Sequence, residues 1–337
     1  MVKIMRKFFY ILLFSVLSIS PLKEAKVSFW ARSYIVMEQN SGQILEGNQL
    51  QLERSVASIS KVMTAVLAVE SDDFFRIVTI GEEISTAMGS CIYIQKGDRI
   101  SICDLTYGLM LRSGNDAALA IAHHLGGSID HFVEMMNEKA LQIGMKHTTF
   151  HNPHGLDLED EGNISTVYDM ALLFRYAMSL EPFRTITSTK KYHSSLKGLW
   201  TNKHKLIQNY PYANGGKTGY TSKAKRTLMT YFCKDELELL VITFDCGGDF
   251  SYHKELFEKY DAQYTYVTFL KKGHNQIANY IFSSPYKVGL LAKKEEMEGG
   301  KKLYYICEET QRLTMFFITK NGERIKVQEV YLNSYAK

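Results

Sequence analysis

Strand-forming segments stand at both ends of the first 270 residues of this 337-residue chain, with a helical stretch between them, and this order limits the fold more than any other feature. Residues 34–37 and 43–45 flank the turn signal Asn40-Ser41-Gly42 and read as a hairpin. From 104 to 145 the apolar residues recur at helical spacing (Leu105, Leu109 and Met110, Ala117 to Leu125, then Phe132, Val133 and Met136), with Gly126-Gly127 and Gly144 as stops. Residues 168–178 continue the helical pattern. Residues 227–232 and 237–244 are rich in β-branched and aromatic types and read as neighbouring strands of a central sheet. Strands first and last around a helical middle predict an α+β domain. Beyond it the period shortens to strands near 303–306, 313–319 and 325–330, with turn signals at Gly299-Gly300 and Asn321-Gly322, so a small all-β domain is expected over 271–337.

The chain opens differently. Lys3, Arg6 and Lys7 precede an apolar run from Phe8 to Ile19, the charged and hydrophobic regions of a secretory signal over about residues 1–25. Export is therefore expected, with the main domain over 26–270. The net charge of +4 is too small to argue for a nucleic-acid partner. From Lys271 onward twelve Lys and Arg face seven Glu, so the outer domain is basic and favours contact with a membrane surface of anionic lipid or with wall polymer. The five cysteines are scattered, without a Cys-x-x-Cys pair. That argues against a disulfide framework and a zinc site, and leaves most of them as small buried apolar residues. His147, His151 and His154 lie close together, but Pro153 and turn-like surroundings argue against a metal. No cofactor is expected.

Three short motifs carry the chemistry. Ser58-Ile59-Ser60-Lys61 is one of four Ser-x-x-Lys occurrences, and context selects it: Ile59, Val62, Met63, Val66 and Leu67 place Ser58 in the first turn of a buried helix, with Lys61 one turn along on the same face. The other three lack such a helix, and Pro285 interrupts the last. A serine at a helix start is also a common cap, so this motif alone decides nothing. Ser113-Gly114-Asn115 follows a helical run and precedes a helix-start signal, which puts Ser113 on a tight connection. Lys217-Thr218-Gly219 reads as an exposed strand edge or as a glycine-rich turn. Cleaving an amide needs a nucleophile, a base, a proton donor for the leaving amine and donors for the oxyanion. Ser58 supplies the first and Lys61 the second, if burial and the charge of Lys217 keep its amine neutral. Ser113 would relay the proton while Asn115 holds Lys61 and the substrate amide. Gly219 would let a peptide backbone approach, and the amides of Tyr220 and Ser58 would bind the oxyanion, with Thr218 and Thr221 completing the substrate-binding edge.

In this order the motifs resemble the low-molecular-mass penicillin-binding proteins of the D-alanyl-D-alanine carboxypeptidase family. The likeness extends over 33–48, 55–65, 105–120, 132–145, 152–157, 165–176 and 216–222. It implies a serine β-lactamase/transpeptidase-like fold, with helices around a central antiparallel sheet. It also implies a Ser58 acyl-enzyme that releases the terminal D-alanine of a peptidoglycan pentapeptide, Thr218 meeting the substrate carboxylate, and β-lactams as covalent inhibitors. Three departures stand out. Lys223-Ala224-Lys225-Arg226 replaces the glycine usual after the third motif; Asp249 to His253 stands where many members carry an arginine; and the chain stops at Lys337 without the amphipathic helix that anchors many members. The second departure is similar to sporulation-type members. A β-lactamase is the rival enzyme, its glutamate sought at Glu159 ahead of Asn163; a non-catalytic peptidoglycan-binding protein is the rival from another class.

Overall fold

The computed structural model describes residues 30–157, 162–196 and 198–332. The leading signal segment, Glu159 and the end of the chain lie outside the described residues. Five strands form the main sheet: β1 (Trp30–Glu38), β2 (Ile44–Asn48), β3 (Ala213–Thr221), β4 (Lys225–Lys234) and β5 (Leu237–Gly247). They run antiparallel in the order β2-β1-β5-β4-β3, so the strand carrying the third motif is an edge.

Both faces of this sheet are covered, which is why its strands read as continuous apolar runs rather than alternating ones. Ile35, Met37, Leu240 and Ile242 face the helical core. Val36, Leu239 and Val241 face the opposite way, onto Leu256, Phe257 and Tyr260 of a helix at Asp249–Gln263. The helical side is built from α1 (Lys61–Glu70), α2 (Asn115–Gly126), α3 (Ile129–Ile143) and α4 (Val167–Ser179); the Asp249–Gln263 helix is α5. Every residue of α1 from Lys61 to Ala68 is buried, as a helix apolar on all sides requires. The expected stops hold: Gly127 and Gly144 adopt left-handed φ of 73° and 92° after α2 and α3. Thr166 caps α4 by accepting from the Asp169 amide at 3.0 Å.

The three strands expected near the end of the chain form one sheet, at Lys301–Cys307, Arg312–Ile318 and Arg324–Tyr331. Tyr264–Leu270 pairs with Val288–Lys293, so its hydrogen bonds run to the C-terminal strands and not to the main sheet. Its Val267, Phe269 and Leu270 share a core with Leu313, Met315 and Phe317. All five cysteines are free, yet only Cys246 is buried; Cys91, Cys103, Cys233 and Cys307 are half-buried, Cys103 and Cys233 against the margin of the main core. No helix among the described residues is long and apolar enough to cross a membrane.

Candidate active site

Ser58 lies in a single 3₁₀ turn, Ala57–Ser60, that leads into α1, so the helix proper begins at Lys61 rather than at Ser58. Ala57 adopts φ 52°, a left-handed conformation that a residue other than glycine holds only when its surroundings impose it. Those surroundings are visible. Thr227 Oγ1 on β4 donates to the Val56 carbonyl at 3.0 Å, and the Val56 amide donates to Asn163 O at 3.1 Å. The turn is pinned from two sides and presents the half-buried Ser58 hydroxyl to the cleft.

Lys61 Nζ lies 3.0 Å from Ser58 Oγ and also bonds the His154 carbonyl. The side chain is wholly buried; burial, then the positive charges of Lys217 and Lys203, hold its amine well below the usual lysine range. A neutral amine can give one N–H to the His154 carbonyl and turn its lone pair to the Ser58 hydroxyl.

Ser113 ends the helical run that closes with a wide turn at Gly108–Arg112, and its own φ of 64° and ψ of 36° swing its side chain into the cleft. There Lys217 Nζ donates to Ser113 Oγ at 3.0 Å and to the Thr218 carbonyl at 2.9 Å. Lys217 is 2% exposed, and burial followed by the charge of Lys203 pushes it down to about 7. The two lysine–hydroxyl pairs therefore come from three distant stretches of chain and converge on one cleft.

Gly219 is where β3 meets the Ser58 turn. A Cβ there would sit 2.4 Å from Thr227 Oγ1 and 3.0 Å from the Ser58 amide nitrogen, so only glycine lets the edge strand lie this close. The segment is a strand throughout, not a glycine-rich turn. Thr218 is half-buried and Tyr220 is exposed. Two expectations change. Thr221, counted among substrate-binding residues, donates its hydroxyl to Asp157, which also accepts from Ser55 Oγ at 2.6 Å; this hydroxyl fastens the strand to the Ser58 side instead of facing substrate. Asn115 does not hold Lys61: its amide donates to Met88 O, and its buried Oδ1 has no hydrogen-bond partner. The backbone explains this, because the Asn115 amide nitrogen donates to Ser90 O at 2.7 Å and draws the residue toward the 88–90 segment.

Several residues of the site carry no motif. Gly155 has φ +84°, and a Cβ on it would fall 2.1 Å from the Ala57 carbonyl oxygen. Asp116 accepts from the amides of Ile92, Tyr93, Ile94 and Ala117 and so fixes the wall of the cleft. Lys203, bonded to Ser90 Oγ at 3.1 Å, lowers the affinity of both motif lysines for a proton. The histidine trio does not gather. His147 pairs with Glu53, the His151 amide bonds Asn163, and His154 turns its ring nitrogen to the Leu156 amide. Asn163 takes both the His151 and Asn152 amides on its Oδ1, at 2.8 and 3.1 Å, which assigns it to holding this loop.

Residues 21–247 match the family model described as D-alanyl-D-alanine carboxypeptidase. The chain belongs to that family. Among relatives of this D-alanyl-D-alanine carboxypeptidase family member, DacF of Bacillus subtilis (strain 168) is 29% identical over 332 residues, covering 89% of this chain and 84% of that protein. DacB2 of Mycobacterium tuberculosis is 36% identical over 202 residues, 59% of this chain and 69% of its own length. Among solved structures, the D-alanyl-D-alanine carboxypeptidase of M. tuberculosis H37Rv superposes with a TM-score of 0.65 at 31% identity, over 68% of this chain and 89% of that one. Penicillin binding protein 6B of Escherichia coli gives 0.73 at 25% identity, over 92% and 98%. The α+β, transpeptidase-like architecture expected from the motif order is the one these proteins share.

The buried histidines around the site fix its response to acid. Burial pushes His154 down to about 3 and His204 to about 4, and holds His253 well below the usual range. Each is neutral in the fold and takes up a proton near 6.5 when the chain unfolds. Their contribution is complete above 6.5 and is lost as pH falls toward 4 and 3, by about 1.4 kcal/mol per histidine per pH unit while only the unfolded chain is protonated. The urea midpoint is expected to drop steeply between pH 7 and pH 5; equal midpoints would contradict the neutral, buried assignment.

Proposed function

We propose that this chain is a serine-type D-Ala-D-Ala carboxypeptidase that removes the terminal D-alanine from peptidoglycan pentapeptide stems. The observation that carries the reading is the meeting of the Lys61–Ser58 and Lys217–Ser113 pairs, each at 3.0 Å, beside the glycine edge of β3. In this mechanism Ser58 Oγ attacks the carbonyl of the penultimate D-alanine while Lys61 Nζ takes the hydroxyl proton. The amides of Ser58 and Tyr220 bind the oxyanion. Ser113, held by Lys217, relays the proton taken up by Lys61 to the departing D-alanine amine as the peptide bond breaks, which leaves Lys61 neutral again. Water then attacks the ester, passing a proton to the neutral Lys61, which returns it to Ser58 Oγ as the ester bond breaks. Asn115 borders the substrate channel, its unpartnered Oδ1 being the acceptor left for a substrate amide. Thr218 meets the substrate carboxylate.

A β-lactam presents the same chemistry with a leaving group that stays tethered, so it acylates Ser58 and blocks the cleft. The enzyme works on the outer face of the cell membrane or in the wall, to which its leading apolar segment directs it and which its basic C-terminal domain touches. Its catalytic unit ends with α5; the strand Tyr264–Leu270 opens the second domain, ahead of the boundary at 271 that periodicity suggested. The test is release of D-alanine from a pentapeptide ending in D-Ala-D-Ala. The native protein is expected to release it and Ser58→Ala to release none; equal release by the variant would reject the mechanism.

A further inference from the structure

A substrate that ends in D-alanine carries a carboxylate one carbon from the bond being cut, and a hydroxyl alone is a weak partner for that charge. Lys217 is turned to Ser113, so the position of a second cation matters. On β3 and β4 the side chains alternate: Lys217 and Gly219, with Thr227 opposite, face the Ser58 turn, while Thr218 and Tyr220 lie on the α5 side. Arg226 stands opposite Tyr220 on that same side, and Leu228 stands opposite Thr218. Arg226 is thus the diagonal neighbour of Thr218, at about 7–8 Å between backbones, within reach of an arginine side chain.

Arg226 is held for such a task. Its Nε and Nη2 donate to the two carboxylate oxygens of Asp249, at 3.1 and 2.8 Å, at the start of α5. Asp249 is buried, whereas the Arg226 side chain is half-exposed. The Asp249 charge is partly met elsewhere, since it sits in the first turn of a helix and accepts from the Phe250 amide at 2.9 Å. The grip uses the Nε and Nη2 donors of a half-exposed side chain and leaves the pair of N–H donors on Nη1 for another partner.

We infer that Arg226, fixed by Asp249, is the cation that receives the substrate's terminal carboxylate together with Thr218. This rests on the proposed carboxypeptidase reading. In this assignment the cation comes from the strand and the helix start supplies its clamp.

The experiment compares two peptides, one ending in D-Ala-D-Ala with a free carboxylate and one with the terminal group as carboxamide, on the purified full chain. Native protein is expected to prefer the acid. Arg226→Gln should lower kcat/KM for the acid peptide by at least about tenfold, mostly through KM, and leave the amide peptide nearly unchanged, while Arg226→Lys recovers part of the preference. Asp249→Asn should fall between native protein and Arg226→Gln. An equal loss on both peptides would reduce Arg226 to a structural role and overturn the assignment, as would no loss on either. Native protein inactive on both peptides would instead remove the carboxypeptidase reading, and this inference with it; Ser58→Ala, inactive on both, marks that baseline.

Discussion

Lys61→Met is expected to slow acylation by a penicillin by about a thousandfold or more while leaving the fold intact. Loss of a positioned base accounts for about 10²–10⁴ in rate, and here the same side chain also anchors the nucleophile's turn through the His154 carbonyl. Methionine keeps the unbranched shape in a site that is 0% exposed. Stability should hold or rise. Burial disfavours the charged amine of Lys61, at about 1.4 kcal/mol for each unit its pKa is lowered, and methionine removes that penalty. Against it stands the unpartnered His154 carbonyl, a loss of about 1–3 kcal/mol. Stopped-flow acylation beside urea denaturation checks both halves. Near-native acylation by Lys61→Met would exclude Lys61 as the base.

Gly155→Ala should damage stability and rate together, although the residue has no chemistry of its own. Its φ of +84° disfavours any Cβ by about 1–2 kcal/mol. The new methyl would also fall 2.1 Å from Ala57 O and 2.5 Å from Ser60 Oγ, and relieving such overpacking costs about 1–3 kcal/mol. Because Ala57 and Ser60 flank the nucleophile, the backbone can yield only by moving Ser58 away from Lys61. The expected result is a loss of about 3 kcal/mol in unfolding free energy with acylation slowed about a hundredfold, since small misplacements of reacting groups have effects of that size. Native values for both quantities would mean that the loop does not set the Ser58 turn.

The contrast between these two residues shows what the sequence could disclose. Ser58 and Lys61 were legible because an apolar helix follows them, and burying that helix necessarily buries the lysine. Lys217 and Gly219 were legible as a charged residue beside a glycine on strand-forming sequence. The His154 carbonyl was not, because every residue has one and only tertiary contact selects it. The left-handed Ala57 and Ser113 escaped for a related reason: neither is glycine, so nothing local announces a φ that the neighbours impose. Asn115 was expected to hold Lys61 and instead bonds Met88 O, since its backbone bond to Ser90 arrives from a loop with no periodic signal. The pairing of Tyr264–Leu270 with Val288–Lys293 was not foreseen, because side-chain alternation identifies a strand without naming its neighbour.

In the proposed mechanism Ser58, activated by Lys61, forms the covalent bond. Incubating the protein with a penicillin, digesting it and locating the added mass by tandem mass spectrometry tests this directly. One penicillin mass on the peptide containing Ser58 is predicted, and none on Lys61→Met over the same interval. An adduct on a different side chain, or folded native protein that stays unmodified, would contradict it.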